Sequence, residues 1–149
     1  MHPSEADCPF CAIIQGDDPD AREIYRDETI VAFFPMEPAT LGHVLVVPRD
    51  HIRDIWQLDD ATAARLAGVT IRLARVIRTA LSPEGLNVIQ SNGAAATQTV
   101  FHLHVHLVPR WEGDALGRLW PPETHYSEAA KDIAWETLRE QVRSEMLDG

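Results

Sequence analysis

Apolar residues recur along the chain at two different periods. Downstream of Asp59 and Asp60, the residues Leu66, Val69, Ile71, Leu73, Val76, Ile77 and Leu81 follow helical spacing. Either aspartate is a suitable N-terminal cap. The spacing predicts one long helix that ends at the turn-forming "SPEG". Elsewhere the apolar runs are short or alternate. "EIYRDETIVAFFP" reads as two short strands around a turn at Arg26–Glu28, after which Pro35 and Pro38 break regular structure. "GHVLVVPRDH" holds an apolar strand, Val44–Val47, closed by Pro48. "LNVIQSN" alternates as a strand, the small-residue loop "GAAATQT" follows, and another strand runs through "FHLHVHLVP" to Pro109. At the other end of the chain, "CPFCAIIQGD" is a knuckle leading into a turn or two of helix that stops near Gly16. After "WPPETH", Ser127 caps a second helix that runs to about Met146.

One long helix among antiparallel-type strands predicts an α+β fold. The expected arrangement is an antiparallel sheet with the helix packed on it, the knuckle at the N-terminus and a further helix at the C-terminus. There is no repeat and no low-complexity linker, so residues 1–149 are expected to form a single domain.

Composition narrows the function classes. Thirteen Lys and Arg against 23 Asp and Glu give a net charge of −10. That balance disfavours sequence-independent binding to nucleic acid or anionic lipid. No apolar run approaches the ~20 residues of a membrane span. "MHPSEADCPF" lacks the basic-then-apolar layout of a secretory signal. The expectation is a soluble cytoplasmic protein whose two cysteines, Cys8 and Cys11, stay reduced and free for metal or redox chemistry.

The candidate chemistry concentrates in "FHLHVHLVPR", residues 101–110. Side chains alternate along a strand, so His102, His104 and His106 share one face while Leu103, Val105 and Leu107 share the other, the core face. Neighbouring histidines of such a row lie ~6.6 Å apart and can bridge one ion, whereas the outer pair, ~13 Å apart, cannot easily do so. The row therefore divides into different roles. Cys8-x-x-Cys11 has the spacing of half a zinc site and needs two more ligands. A redox pair is the alternative, although no thioredoxin-like βαβ pattern surrounds it.

These segments resemble the histidine triad family of nucleotide hydrolases and transferases. "HLHVHLV" fits its His-x-His-x-His-x-x motif, "QTVFHLHVH" its Gln-x-Val-x-His run, and "GHVLVVPRDH" its other recurring segment. "CPFC" is similar to the knuckle of its Hint-like, zinc-containing bacterial branch. The likeness covers residues 8–112 and leaves 113–149 as a C-terminal extension. It implies a nucleotide hydrolase or nucleotidyl transferase acting at the α-phosphate of a purine nucleotide substrate, such as an adenylated amine, through a covalent nucleotidyl-histidine. In that reading His104 attacks phosphorus, His106 contacts phosphate oxygens or the leaving group, and His43 matches the family's fourth histidine. Ser91, Gln98 and Thr99 become substrate-binding positions. Zinc-bearing relatives complete the cysteine pair with two histidines, which here are His51 and His102, so Cys8, Cys11, His51 and His102 would hold a structural zinc. The resemblance also implies a homodimer. Its alternatives are a dinucleoside polyphosphate hydrolase or phosphorylase with the same site, and a nucleotide-binding protein that does not turn over.

Three positions depart from the family pattern. Pro35 stands where an Asp usually binds the ribose hydroxyls, with Glu37 nearby. Ser91 stands where Asn or Gln is common, and Thr97 replaces a glycine before Gln98, where a positive φ is costly to any side chain. These changes bear on sugar and base preference rather than on reaction type.

Overall fold

The computed structural model describes residues 5–148. Residues up to Gly117 form one compact unit, and those from Arg118 onward form a second. The first unit is built on a five-stranded antiparallel sheet of β1 (Glu23–Arg26), β2 (Ile30–Phe33), β3 (Val44–Pro48), β4 (Gly85–Gln90) and β5 (Val105–Arg110). The spatial order is β1-β2-β3-β5-β4, so β3 is central, β5 lies inside the sheet beside it and β4 forms one edge. Two helices complete the unit: α1 (Pro9–Gln15) and the long α2 (Asp60–Leu81). Asp59 caps α2 by accepting a hydrogen bond from the Thr62 amide, and Ser82 ends it in the left-handed region. The α+β arrangement expected from the pattern is the one observed.

Each face of the sheet is covered by a different element. Against α2, whose inner stripe is Leu66, Val69, Leu73 and Ile77, pack Ile30, Ala32, Val44, Val46, Leu103, Val105 and Leu107. The opposite face presents Val31, Phe33, Leu45 and Val47 to Cys8, Phe10, Cys11 and Ile14 of the N-terminal knuckle. The sequence pattern placed a core only on the leucine and valine side of the histidine row, so this second core is an addition to it. The knuckle closes it. The leucine and valine face of the histidine row is nevertheless the one that meets α2, as the alternation predicts.

Two boundaries differ from expectation. β5 begins only at Val105. His102 and His104 precede it, because the Leu103 amide donates to the carbonyl of Ile52 (2.7 Å), on the stretch after β3. In the second unit Ser127 caps α3 (Glu128–Val142), but the last turns, Arg143–Leu147, widen into a π-helix. Ile133, Trp135 and Leu138 of α3 are exposed. Among the described residues no helix is long and apolar enough to cross a membrane.

Two local devices set the site's framework. The Asp27 carboxylate accepts from the amides of Thr29 and Ile30, from the Tyr25 hydroxyl and from Arg65 of α2, tying the β1–β2 turn to the helix. Burial pushes the Asp27 carboxyl up, but these donors outweigh it and hold it well below the usual carboxylate range. Gly42, just before His43, sits at φ +93, and a Cβ there would lie 2.3 Å from Leu81 Cδ1. The glycine lets the chain pass under the end of α2 and deliver His43 to the start of β3.

Candidate functional site

The histidine row is divided as its spacing predicts. His102 is fully buried and faces the knuckle, whereas His104, His106 and His43 come together where the start of β3 lies against β5. β3 and β5 are paired in register with Leu45 opposite His106, which sets His43 and His106 side by side. Their rings meet Nε2 to Nδ1 at 2.9 Å. The rings of His104 and His106 lie 4.8 Å apart, centre to centre.

Backbone partners assign the proton positions. The Ala39 amide donates to His43 Nδ1 (3.0 Å), so the His43 proton is on Nε2 and is donated to His106 Nδ1. A neutral His106 then carries its own proton on Nε2. His104 Nδ1 donates to the carbonyl of His102 (2.7 Å), which leaves its Nε2 with a free lone pair. Burial lowers the pKa of His104 and, with the neighbouring His104, that of His43. Burial, His104 and His43 push His106 down to about 4. All three are neutral at pH 7. The arrangement offers one nitrogen able to attack and one N–H able to donate, with no charge in the resting site.

The second cluster is the knuckle. Cys8, Cys11, His51 and His102 each offer one ligand atom, and these atoms all lie within 4.8 Å of one another. His102 donates its Nε2–H to the carbonyl of Pro48 (2.8 Å), which turns Nδ1 toward both sulfurs at 3.5 Å. His51 Nδ1 is 3.3 Å from Cys11 Sγ. Two thiols, two imidazole nitrogens and a backbone carbonyl orienting one ligand from behind form the donor set of a closed tetrahedral zinc site. The residues therefore fit the ion that the sequence implied.

The three substrate-binding positions proposed from sequence lie on or beside the 91–98 loop, and the structure treats them differently. Thr99 is exposed and Ser91 is half-buried. Gln98 is 3 % exposed, and its amide is committed inside the protein. Its Oε1 accepts from the Gly93 amide (2.8 Å), and its Nε2 donates to the carbonyls of Arg53 (2.8 Å) and Val100 (3.1 Å). Gln98 thus closes the loop in which Gly93 and Thr97 both take positive φ. For the β-branched Thr97, at φ +69, that is a strained conformation. Pro35 is half-buried, while Glu37 is exposed.

Sequence reasoning missed Phe10. Its ring stands perpendicular to that of His104, with centres 5.0 Å apart, and also meets Phe33 and His102. Its position between the two cysteines was the available signal, since a knuckle placed against His102 must carry Phe10 toward the same strand.

A family model described as the HIT domain matches residues 17–113. The chain is 41% identical over 126 residues to "Protein hit" of Bacillus subtilis, covering 84% of each chain. It is 34% identical over 115 residues to the adenosine 5'-monophosphoramidase hnt1 of Schizosaccharomyces pombe, covering 76% of this chain and 83% of that one. Among solved structures, a Zn-bound histidine triad family protein from Mycobacterium smegmatis superposes with a TM-score of 0.71 at 37% identity. It covers 95% of this chain and 100% of its own.

Proposed function

We propose that this chain, which belongs to the HIT domain family, hydrolyses or transfers nucleotides at the α-phosphate through a covalent adduct on His104. The observation that carries the reading is the His104 ring. Its Nδ1 is spent on the His102 carbonyl and its Nε2 is free, in a buried and uncharged setting beside the His106 N–H. In the first displacement Nε2 forms a bond to phosphorus while the bond to the leaving group breaks, the leaving group taking the electron pair and a proton from solvent. The His106 Nε2–H donates a hydrogen bond to the phosphate oxygens or leaving group as charge develops there. His43 keeps His106 in the tautomer that has this N–H. Water then attacks the same phosphorus, releases a nucleoside monophosphate and returns the proton that the leaving group took. Ser91 and Thr99, which flank the 93–98 loop, are the positions that meet the nucleotide, and the resemblance to a phosphoramidase makes an adenylated amine the preferred substrate.

We also propose that Cys8, Cys11, His51 and His102 hold a structural zinc, and that these thiol ligands belong in the reducing cytoplasm. Two copies pair across the free edge of β4, where Val88 is 56% exposed. The test of the reaction is a panel of adenosine 5'-phosphoramidate and dinucleoside polyphosphates, with acid-quenched mass spectrometry of the protein. Release of adenosine monophosphate from the amide and a nucleotidyl mass on His104 are expected. His104→Asn is expected to lose at least a thousand-fold in rate and to show no adduct. A His104→Asn protein that turns over at the wild-type rate overturns the mechanism.

A further inference from the structure

The knuckle and the reactive histidine touch through one side chain. Phe10 follows Cys8 and Pro9 and directly precedes Cys11, so both cluster cysteines fix its backbone. It is 8% exposed. Its ring is wedged among Phe33, His102 and His104, at 5.3, 6.0 and 5.0 Å between centres, and stands at 88° to His104. Perpendicular aromatic contact at this separation is attractive and directional. The His104 ring is also met on one side by the His106 ring, 4.8 Å away, and its Nδ1 is tied to a backbone oxygen, a bond that fixes one atom but not the plane of the ring. A flat wall at right angles supplies the second constraint.

We propose that Phe10 is a positioning residue for His104: its ring fixes the imidazole plane so that Nε2, rather than Nδ1, faces the substrate. The proposal rests on the reading of His104 as the nucleophile, but its consequence is measurable without substrate. A ring that is free to tilt breaks and remakes the bond to the His102 carbonyl and exchanges tautomers, whereas a clamped ring does not.

The experiment compares wild type, Phe10→Leu and Phe10→Tyr, each shown to carry its metal by elemental analysis. Proton–nitrogen correlation spectra of ligand-free, 15N-histidine-labelled protein are recorded at pH 7.5. Wild type is expected to show His104 as one tautomer protonated at Nδ1. In Phe10→Leu the two His104 nitrogen shifts are expected to move toward their average, and Phe10→Tyr, which keeps the ring, is expected to restore them. With adenosine 5'-phosphoramidate, kcat of Phe10→Leu is expected to fall about ten-fold with KM within two-fold of wild type. If Phe10→Leu does not fold, Phe10→Met, whose flexible side chain fills the gap, carries the same measurements. Unchanged His104 shifts in the variant overturn the proposal. So does a rise in KM with kcat unchanged, which would make the ring a substrate contact. A wild type without turnover refutes the nucleophile reading instead, and the spectra still decide what Phe10 does.

Discussion

At the scale of single residues, main-chain atoms decide what each imidazole can do. The carbonyls of Pro48 and His102 take one N–H each from His102 and His104, and the Ala39 amide takes the lone pair of His43 Nδ1. Side-chain substitution elsewhere leaves these choices intact, so the site is specified by fold as much as by composition. The same burial has a cost at low pH. His106 has its pKa pushed down to about 4 by burial and then by His104 and His43, against an ordinary value near 6.5. Above pH 6.5 it is neutral whether the chain is folded or not. Between pH 6.5 and 4 the unfolded chain binds a proton that the folded protein refuses, so stability falls as pH falls through that window. On the order of 2 kcal/mol is expected from His106 alone, after allowance for its partial exposure. Urea midpoints at pH 7 and 4.5 measure it. In His106→Asn, whose amide oxygen still accepts from His43, the loss on acidification is expected to be smaller than in wild type.

At the scale of elements, the knuckle is both a cap and a cluster. Cys8 is the N-cap of α1, its sulfur accepting from the Cys11 amide (3.4 Å), and serine caps a helix well. Cys8→Ser therefore removes a metal ligand while keeping the cap. We expect one zinc per wild-type chain by elemental analysis. Cys8→Ser is expected to contain less, with a melting temperature lowered to match a loss on the order of 4 kcal/mol, and His104→Asn is expected to keep its zinc and to lose less stability than Cys8→Ser. The elements also show what the sequence could convey. The order of strands and helices, the long helix and the role of Leu103, Val105 and Leu107 as core were legible in local periodicity; spacing marked the Cys8 and Cys11 pair, whereas His51 and His102 as its partners came from the family resemblance. The burial of His104 was not legible, since it depends on Phe10 arriving from far upstream in the chain. The commitment of the Gln98 amide was hidden for a related reason. Spacing marks Gln98 as a site residue but cannot say that Gly93 and Arg53 already use its polar atoms. The late start of β5 follows from the single bond between Leu103 and Ile52, which no pattern within the strand records.

At the scale of the whole molecule, the free edge of β4 carries the expectation for assembly. Val88→Lys places a charge in the middle of that edge, where like charges meet across a two-fold axis. Light scattering is expected to give twice the chain mass for wild type and the single chain mass for Val88→Lys; equal masses for both would remove β4 from the interface. The metal cluster has another consequence, in the language of polymer topology. Its ligands span 94 residues from Cys8 to His102. An ion that kept its grip while the chain melted would turn the coil into a lasso whose noose contains β1 to β4 and α2, with β5 hanging just beyond the knot. Closing a ring of that size removes roughly 4–5 kcal/mol of chain entropy at 25 °C before any native contact forms. The search that aligns β5 with β3 would then begin with its ends already tethered, and refolding with the ion in place should outpace refolding without it.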